Sequence, residues 1–304
     1  MVTGVQTCAL PISATVKSNR YADFSPSRRL WNQFFTGAVW IAAAFVIVLV
    51  VGIIGMVLVR GLPHVNWTFL TTTSSILRGT NGILPAIINT LYIILLTLVI
   101  VLPLGVGAAV YLTEYATNRK LIAVIEFTNE TLAGIPSIIY GLVGMLVFAQ
   151  ALGFQTSLLS GSLTLVIMTL PTIIRTTQES LKTVPMGYRE GAMGLGAGKW
   201  HIIRTIVLPC SIDGIVTGCI LAIGRIVGES AALLFTAGAA QVIASNIIEA
   251  YGSNGASLSV LLYLRAFENG DFDSAWGIGA ILLVLVLIIN IAARLAKKHL
   301  RQKG

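Results

Sequence analysis

Six long apolar runs, at about residues 35–60, 84–112, 129–152, 160–177, 210–237 and 274–296, alternate with polar stretches. A helix that crosses a bilayer needs about 20 predominantly apolar residues, and the runs are near or above that length. The fourth is the shortest and contains Pro171. All are continuous and rich in leucine and isoleucine, whereas a transmembrane barrel strand alternates apolar and polar positions. The pattern predicts an all-α polytopic membrane protein with six transmembrane helices. Around them it sets an N-terminal tail (1–34), a first helix (35–60), a main transmembrane domain (80–296) and a basic tail (297–304).

Composition agrees with that pattern. Of 304 residues 56% are hydrophobic and 11% charged, with a mean hydropathy of +0.87, against about 25% charged in soluble domains. The formal charge of +8 would suggest nucleic acid, but its distribution points to topology. With the N-terminus inside, the inner segments hold most of the 20 basic residues. These are Lys17, Arg20, Arg28 and Arg29, then Arg119 and Lys120, then Arg175, Lys182, Arg189, Lys199 and Arg204, then five more from Arg294 onward. Only Arg60, Arg78 and Arg265 fall outside, and Arg225 falls within a span. The positive-inside rule therefore predicts cytoplasmic termini and no nucleic-acid partner. The stretch Gly4–Ser13 resembles the translation of a sequencing adapter and carries no weight; no basic region precedes its short apolar core, so it does not read as a signal peptide.

Three connections are long: 61–83 and 238–273 outside, and 178–209 inside. Long ordered loops tend to carry function. In the inner one Pro185 ends the preceding helix, a short helical stretch runs over Arg189–Leu195, Gly196 and Gly198 permit a turn, and a second amphipathic stretch spans Lys199–Val207. Small residues Gly191, Ala192 and Gly194 allow close approach of another backbone, and Glu190 beside Arg189 offers a charged handle to a partner. Cys8, Cys210 and Cys219 have no metal or disulfide spacing, and His64, His201 and His299 lie outside the apolar runs. The five tryptophans sit at or near span ends, as in an aromatic belt. No P-loop, HExxH or GxSxG pattern is present, so neither ATP binding nor hydrolysis has a motif in this chain.

The order Glu190-Gly191-Ala192, three residues, Gly196, nine residues, Ile206-x-Leu208-Pro209 resembles the EAA signature of ABC-importer permeases. Gly191 departs from the family's alanine and costs about 1 kcal/mol of helix propensity. Four more stretches, 105–116, 132–144, 170–185 and 224–238, resemble the PstA-type phosphate-importer permeases, so that the likeness covers about 80–295. The resemblance implies a type I ABC-importer permease fold in a bacterial plasma membrane, with 80–296 as the permease domain and the loop forming coupling helices for an ATPase. It also implies a PstC-type second permease, a PstB-type ATPase dimer and a PstS-type binding protein. This chain would bind no cofactor, ATP and Mg²⁺ belonging to the ATPase, and would do no covalent chemistry.

Arg225 lies inside the fifth run, where an ionised group costs about 3 kcal/mol, and Glu229 follows one helical turn later. Either the two pair and lock helices together, or Arg225 faces a phosphate anion with Glu229 as its counter-charge, as the resemblance implies. Gly224 and Gly228 flank Arg225 and would let helices pack closely. Arg175 matches a family arginine and reads either as a pathway residue or as one snorkelling to the interface. Glu130 and Asp213 lie near span ends as interfacial charges. Pro103 and the stretch 134–137 are expected to break their helices and to face the bundle interior. The alternatives are a permease for phosphonate, molybdate or sulfate, and a secondary transporter, for which no paired broken halves are visible.

Overall fold

The computed structural model describes residues 26–75 and 80–303, with side chains over 30–74 and 81–295. The tail up to residue 25, Arg78 and the side chains from 296 onward therefore lie outside the described residues. The chain divides at Gly55 into two units. The first contains most of helix α1 (Pro26–Gly61), which begins ahead of the expected position 35 on a proline, a residue preorganised for a first helical turn. Near its start the rings of Trp31 and Phe35 stack with centroids 5.7 Å apart.

The second unit, Met56–Gly304, holds the rest of the fold. After α1 come a tight turn (Leu62–His64), α2 (Trp67–Thr71) and an antiparallel hairpin of β1 (Thr73–Ser75) and β2 (Thr80–Ile83). Thr73 pairs with Ile83 and Ser75 with Thr80. Gly82 lies so close to Thr72 that any side chain would strike its backbone. The segment 61–83 thus adds a small sheet to the helices of the described residues.

Helix α3 (Leu84–Val110) continues into a π-helical turn, Tyr111–Tyr115. Contrary to expectation it runs straight through Pro103, which is exposed rather than facing the interior. Val101 and Gly105 on either side are buried, and Gly105 lies close against Ile173. The expected break at 134–137 is present and sharper than a kink. Helix α4 (Arg119–Ala133), capped by the Asn118 side chain, meets α5 (Ser137–Gly144, continued by a π-turn to Ala151) at 100°. Pro136 has no N–H and disfavours helix at Ile135. The apolar run 129–152 is therefore split between the end of an amphipathic helix and a shorter apolar one. Residues 134, 136 and 138 are exposed, so this break does not simply face the interior.

Helix α6 (Leu158–Thr183) is the most buried span, longer than the run 160–177, and it passes through Pro171. Then follow α7 (Met186–Gly194), α8 (Lys199–Ile202), a π-turn (Ile203–Val207) and α9 (Leu208–Gly228). The fifth run does not stay helical to 237. It breaks at Glu229–Ser230 and resumes as α10 (Ala231–Thr236). The long connection 238–273 is not a surface loop throughout: it forms α11 (Ile247–Gly252) and α12 (Leu258–Tyr263), and Leu258, Val260 and Leu261 are fully buried. Helix α13 (Phe272–Lys303) closes the chain.

Among the described residues five helices are long and apolar enough to cross a membrane, and the bent pair α4–α5 makes a sixth when counted as one crossing. Small residues bring the central helices together. A Cβ at Gly144 would overlap Thr164, one at Gly218 would overlap Thr176, and one at Gly214 would overlap Ser180, the close packing expected where lipid offers no hydrophobic drive. The main core joins Ile93, Leu165, Met168, Ile226, Leu233 and Val260. A second cluster, with Val110, Leu112, Leu181, Ile202, Ile203 and Val207, fills the end where the loop 184–207 folds back.

Candidate functional site

The loop 184–207 is the helix–turn–helix that its glycines and proline predict. Gly196 has φ +84°, a conformation that costs any residue with a Cβ. Gly198 has φ −69° and instead caps α8, so only the first glycine needs its freedom. Nothing lies within 4 Å of a Cβ built on Gly191, Gly194 or Gly196. The small face of α7 is open. Gly191, Ala192, Leu195, Ile206 and Pro209 line one groove of about 750 Å³. Leu208 is half-buried and packs on the cluster beneath. Leu195, at 91% exposure, and Trp200, at 61%, stand out as apolar groups. Pro209 cannot donate an intrahelical bond, and the turn before it is wide, with the Leu208 amide reaching the Ile203 carbonyl.

Glu190 is exposed, as a handle for a partner must be. Arg189 is not: its side chain is 11% exposed and ion-paired to Glu114, itself 10% exposed, with Nη2 2.8 Å from Oε1. Sequence reasoning set Arg189 beside the Glu190 handle in the inner loop and gave Glu114 no role. Seventy-five residues separate the two, and no local pattern signals the pairing.

Arg225 and Glu229 stand apart from expectation as well. Helix α9 ends at Gly228, and Glu229 has left helical geometry at φ −80°, ψ 118°. Its Oε1 accepts the Ala232 amide at 3.0 Å, capping α10, and its carbonyl accepts the Ser259 hydroxyl at 2.6 Å. The i, i+4 pair, one of the two readings open from sequence, is not formed, because the helix that would align the two ends between them. Arg225 is half-buried and has no hydrogen bond or ion pair among the described residues. It acts electrostatically on the Tyr140 phenol, whose hydroxyl donates to the Leu132 carbonyl at 2.8 Å. Gly224 and Gly228 do not pack closely on other helices as expected: nothing lies within 4 Å of a Cβ at either. With exposed Asp213, Thr217 and Leu221 they form an open stripe along α9.

Arg175 is exposed and paired to Glu179 on its own helix at 3.1 Å. It shares a polar recess of about 210 Å³ with Glu126, Glu130, Gln178 and Lys182, where Lys182 reaches Glu126 at 3.7 Å. The arrangement brings α4 and α6 together through opposite charges, and Glu130 belongs to it. Arg225 and Arg175 are thus in different settings, one without an acid and one neutralised.

Residues 101–303 match the model of the binding-protein-dependent transport system inner membrane components. The chain is 34% identical over 281 residues to the phosphate transport system permease protein PstA 1 of Mycobacterium tuberculosis (strain CDC 1551 / Oshkosh), with 89% of this chain and 90% of that one covered. It is 36% identical over 212 residues to the probable ABC transporter permease protein YqgI of Bacillus subtilis (strain 168), covering 70% and 72%. In fold it is similar to a bacterial ABC transporter that imports the acidic polysaccharide alginate (TM-score 0.65, 16% identity, 89% and 99% covered). It is similar too to the MetNI methionine ABC transporter (TM-score 0.56, 19% identity, 72% and 94% covered). A multi-pass helical chain with the type I importer permease fold, matched over its transport core, belongs to the family of binding-protein-dependent transport system inner membrane components.

Proposed function

We propose that this chain is one membrane-spanning subunit of an ATP-driven importer of inorganic phosphate. The observation that carries the reading is Arg225: a permanently charged guanidinium held within a membrane helix, without an acid partner among the described residues, beside an open stripe. An intramembrane charge is costly, and an anion arriving from outside supplies the missing partner. The planar fork of arginine suits two phosphate oxygens at once. Similarity to phosphate transport system permeases over about nine-tenths of both chains supports the choice of anion.

In this reading α7, α8 and the groove they border receive an ATPase subunit, with Glu190, Gly191, Ala192, Gly196, Ile206, Leu208 and Pro209 shaping the contact. A PstC-type permease completes the pathway along α9, and a PstB-type ATPase dimer binds ATP and Mg²⁺ inside. A PstS-type binding protein docks outside. ATP closes the ATPase dimer, the coupling helices move, the path opens outward, phosphate passes Arg225, and hydrolysis resets the inward state. Both termini are cytoplasmic, the arrangement supported by the basic-residue asymmetry. Hydrolysis belongs to the ATPase, and this chain supplies path and coupling.

A second reading, a permease for another oxyanion, draws on the YqgI relative, whose name carries no substrate. Reconstituted complex in vesicles, assayed for ATP-dependent uptake of labelled phosphate against phosphonate, molybdate and sulfate as competitors, decides between them. Competition by phosphate alone supports the proposal, and preferential uptake of another oxyanion overturns it.

A further inference from the structure

Helix α7 is attached to the rest of the fold in an unusual way. None of its residues is buried, and its small face is open. Ala192 packs on the apolar cluster beneath, and one polar side chain also reaches inward. Arg189 donates from Nη2 (2.8 Å) and Nε (3.2 Å) to Glu114 Oε1. The same guanidinium donates from Nη1 to the Val184 carbonyl at 2.7 Å and from Nη2 to the Leu181 carbonyl at 3.0 Å. Glu114 belongs to the π-turn that ends α3. Leu181 and Val184 lie at the end of α6, where the Leu181 carbonyl accepts only the capping Val184 amide from the backbone and the macrodipole is negative. Three elements therefore meet at one guanidinium.

A largely shielded ion pair, its side chains 11% and 10% exposed, is a poor way to gain stability, because desolvation offsets the attraction unless hydrogen bonding is complete and geometry good. Apolar packing would have served for mere attachment. What the pair adds is geometric definition: the fork fixes orientation as well as distance. We propose that Arg189 and Glu114 form a tether that makes α7 move as one body with the inner ends of α3 and α6, so that displacement of α7 reaches the membrane core undiminished. Both act as positioning residues and neither meets the transported anion. The inference rests on the proposed role of α7 as a coupling helix.

The test uses the full transporter complex in nanodiscs, with native cysteines replaced by alanine and spin labels at exposed Tyr111, next to the tether on the α3 side, and exposed Met193 on α7. The wild-type label distance should be the same in the ATP-free and ATP-trapped states. In Arg189→Lys, which keeps the charge and loses the fork, the distribution should broaden. Phosphate moved per ATP hydrolysed should fall at least about fivefold, the lower end of ordinary coupling between sites, while assembled complex stays at the wild-type level. Glu114→Gln, nearly isosteric and still an acceptor, should give a smaller effect in the same direction, and it decides the matter if Arg189→Lys fails to assemble. A wild-type distance that changes with nucleotide, or variants with native distances and native transport per ATP, would overturn the tether. Absence of ATP-dependent phosphate uptake by the wild-type complex would instead refute the substrate reading and leave the distance test standing.

Discussion

The carboxylate of Glu229 faces the Ala232 amide at 3.0 Å, and Arg225, four residues earlier, is left without an acidic partner among the described residues. The two residues divide the work that a simple intramembrane pair would have shared. Arg225→Leu strands no carboxylate, so the complex should assemble at the wild-type level while phosphate uptake falls at least tenfold, about 1.4 kcal/mol of lost stabilisation. Arg225→Lys should recover part of it, keeping charge but not the fork. Membrane level and uptake measured together check this, and an assembled Arg225→Leu complex with normal uptake assigns the arginine to structure.

Glu229→Ala should behave differently. Losing a helix cap costs about 1 kcal/mol, so the expected result is reduced assembly or thermal stability, with uptake falling only in proportion to the complex present. A melting curve of purified complex beside transport normalised to protein distinguishes the two residues.

The turn offers a paired comparison. Gly196→Val forces a β-branched residue into φ +84°, at about 1–2 kcal/mol, and should lower binding-protein-stimulated ATPase without clearing the protein from the membrane. Gly191→Ala adds a methyl where nothing lies within 4 Å and should be tolerated, with a gain of up to about 1 kcal/mol in helix stability. Stimulated hydrolysis by both variants reads the outcome, and unchanged stimulation in Gly196→Val would remove the turn from coupling.

Asp271 precedes α13 and accepts the Ser274 amide at 3.1 Å, with Arg265 at 3.5 Å. Burial pushes its carboxyl upward, but the two hydrogen bonds from Ser274 and the charges of Arg265 and His64 outweigh it, and the net shift is below the ordinary carboxylate value. A lowered pKa means that this contribution is complete above the ordinary value and is lost as pH falls through the lowered one. Hydrogen exchange at the start of α13 should therefore accelerate only in acid below the usual carboxylate range, and Asp271→Asn should flatten that dependence.

Much of this was readable from the chain. Continuous apolar runs located the long helices, Pro136 located the bend, and Gly196 located the left-handed turn, because each signal is local. Three things were not. The break after Gly228 was hidden inside an apolar run, since α10 is as apolar as the helix it leaves. Buried α12 was masked by the acidic residues around it, and its six residues are too few for a periodic signal. The Arg189–Glu114 pair joins residues 75 apart, beyond any pattern along the sequence.

The sharp bend between α4 and α5 has a consequence for the surrounding lipid. Ser137–Ala151 rises only about 22 Å at helical pitch, against a hydrocarbon core of about 30 Å. Its exposed Ile138, Leu142, Val143 and Leu146 present a short apolar wall, which a bilayer meets by local thinning. Acyl-chain length thus becomes a variable of transport: complexes reconstituted in shorter-chain lipids should be relieved of this mismatch, while thick bilayers should press on the very flank where α4 and α6 share their charges.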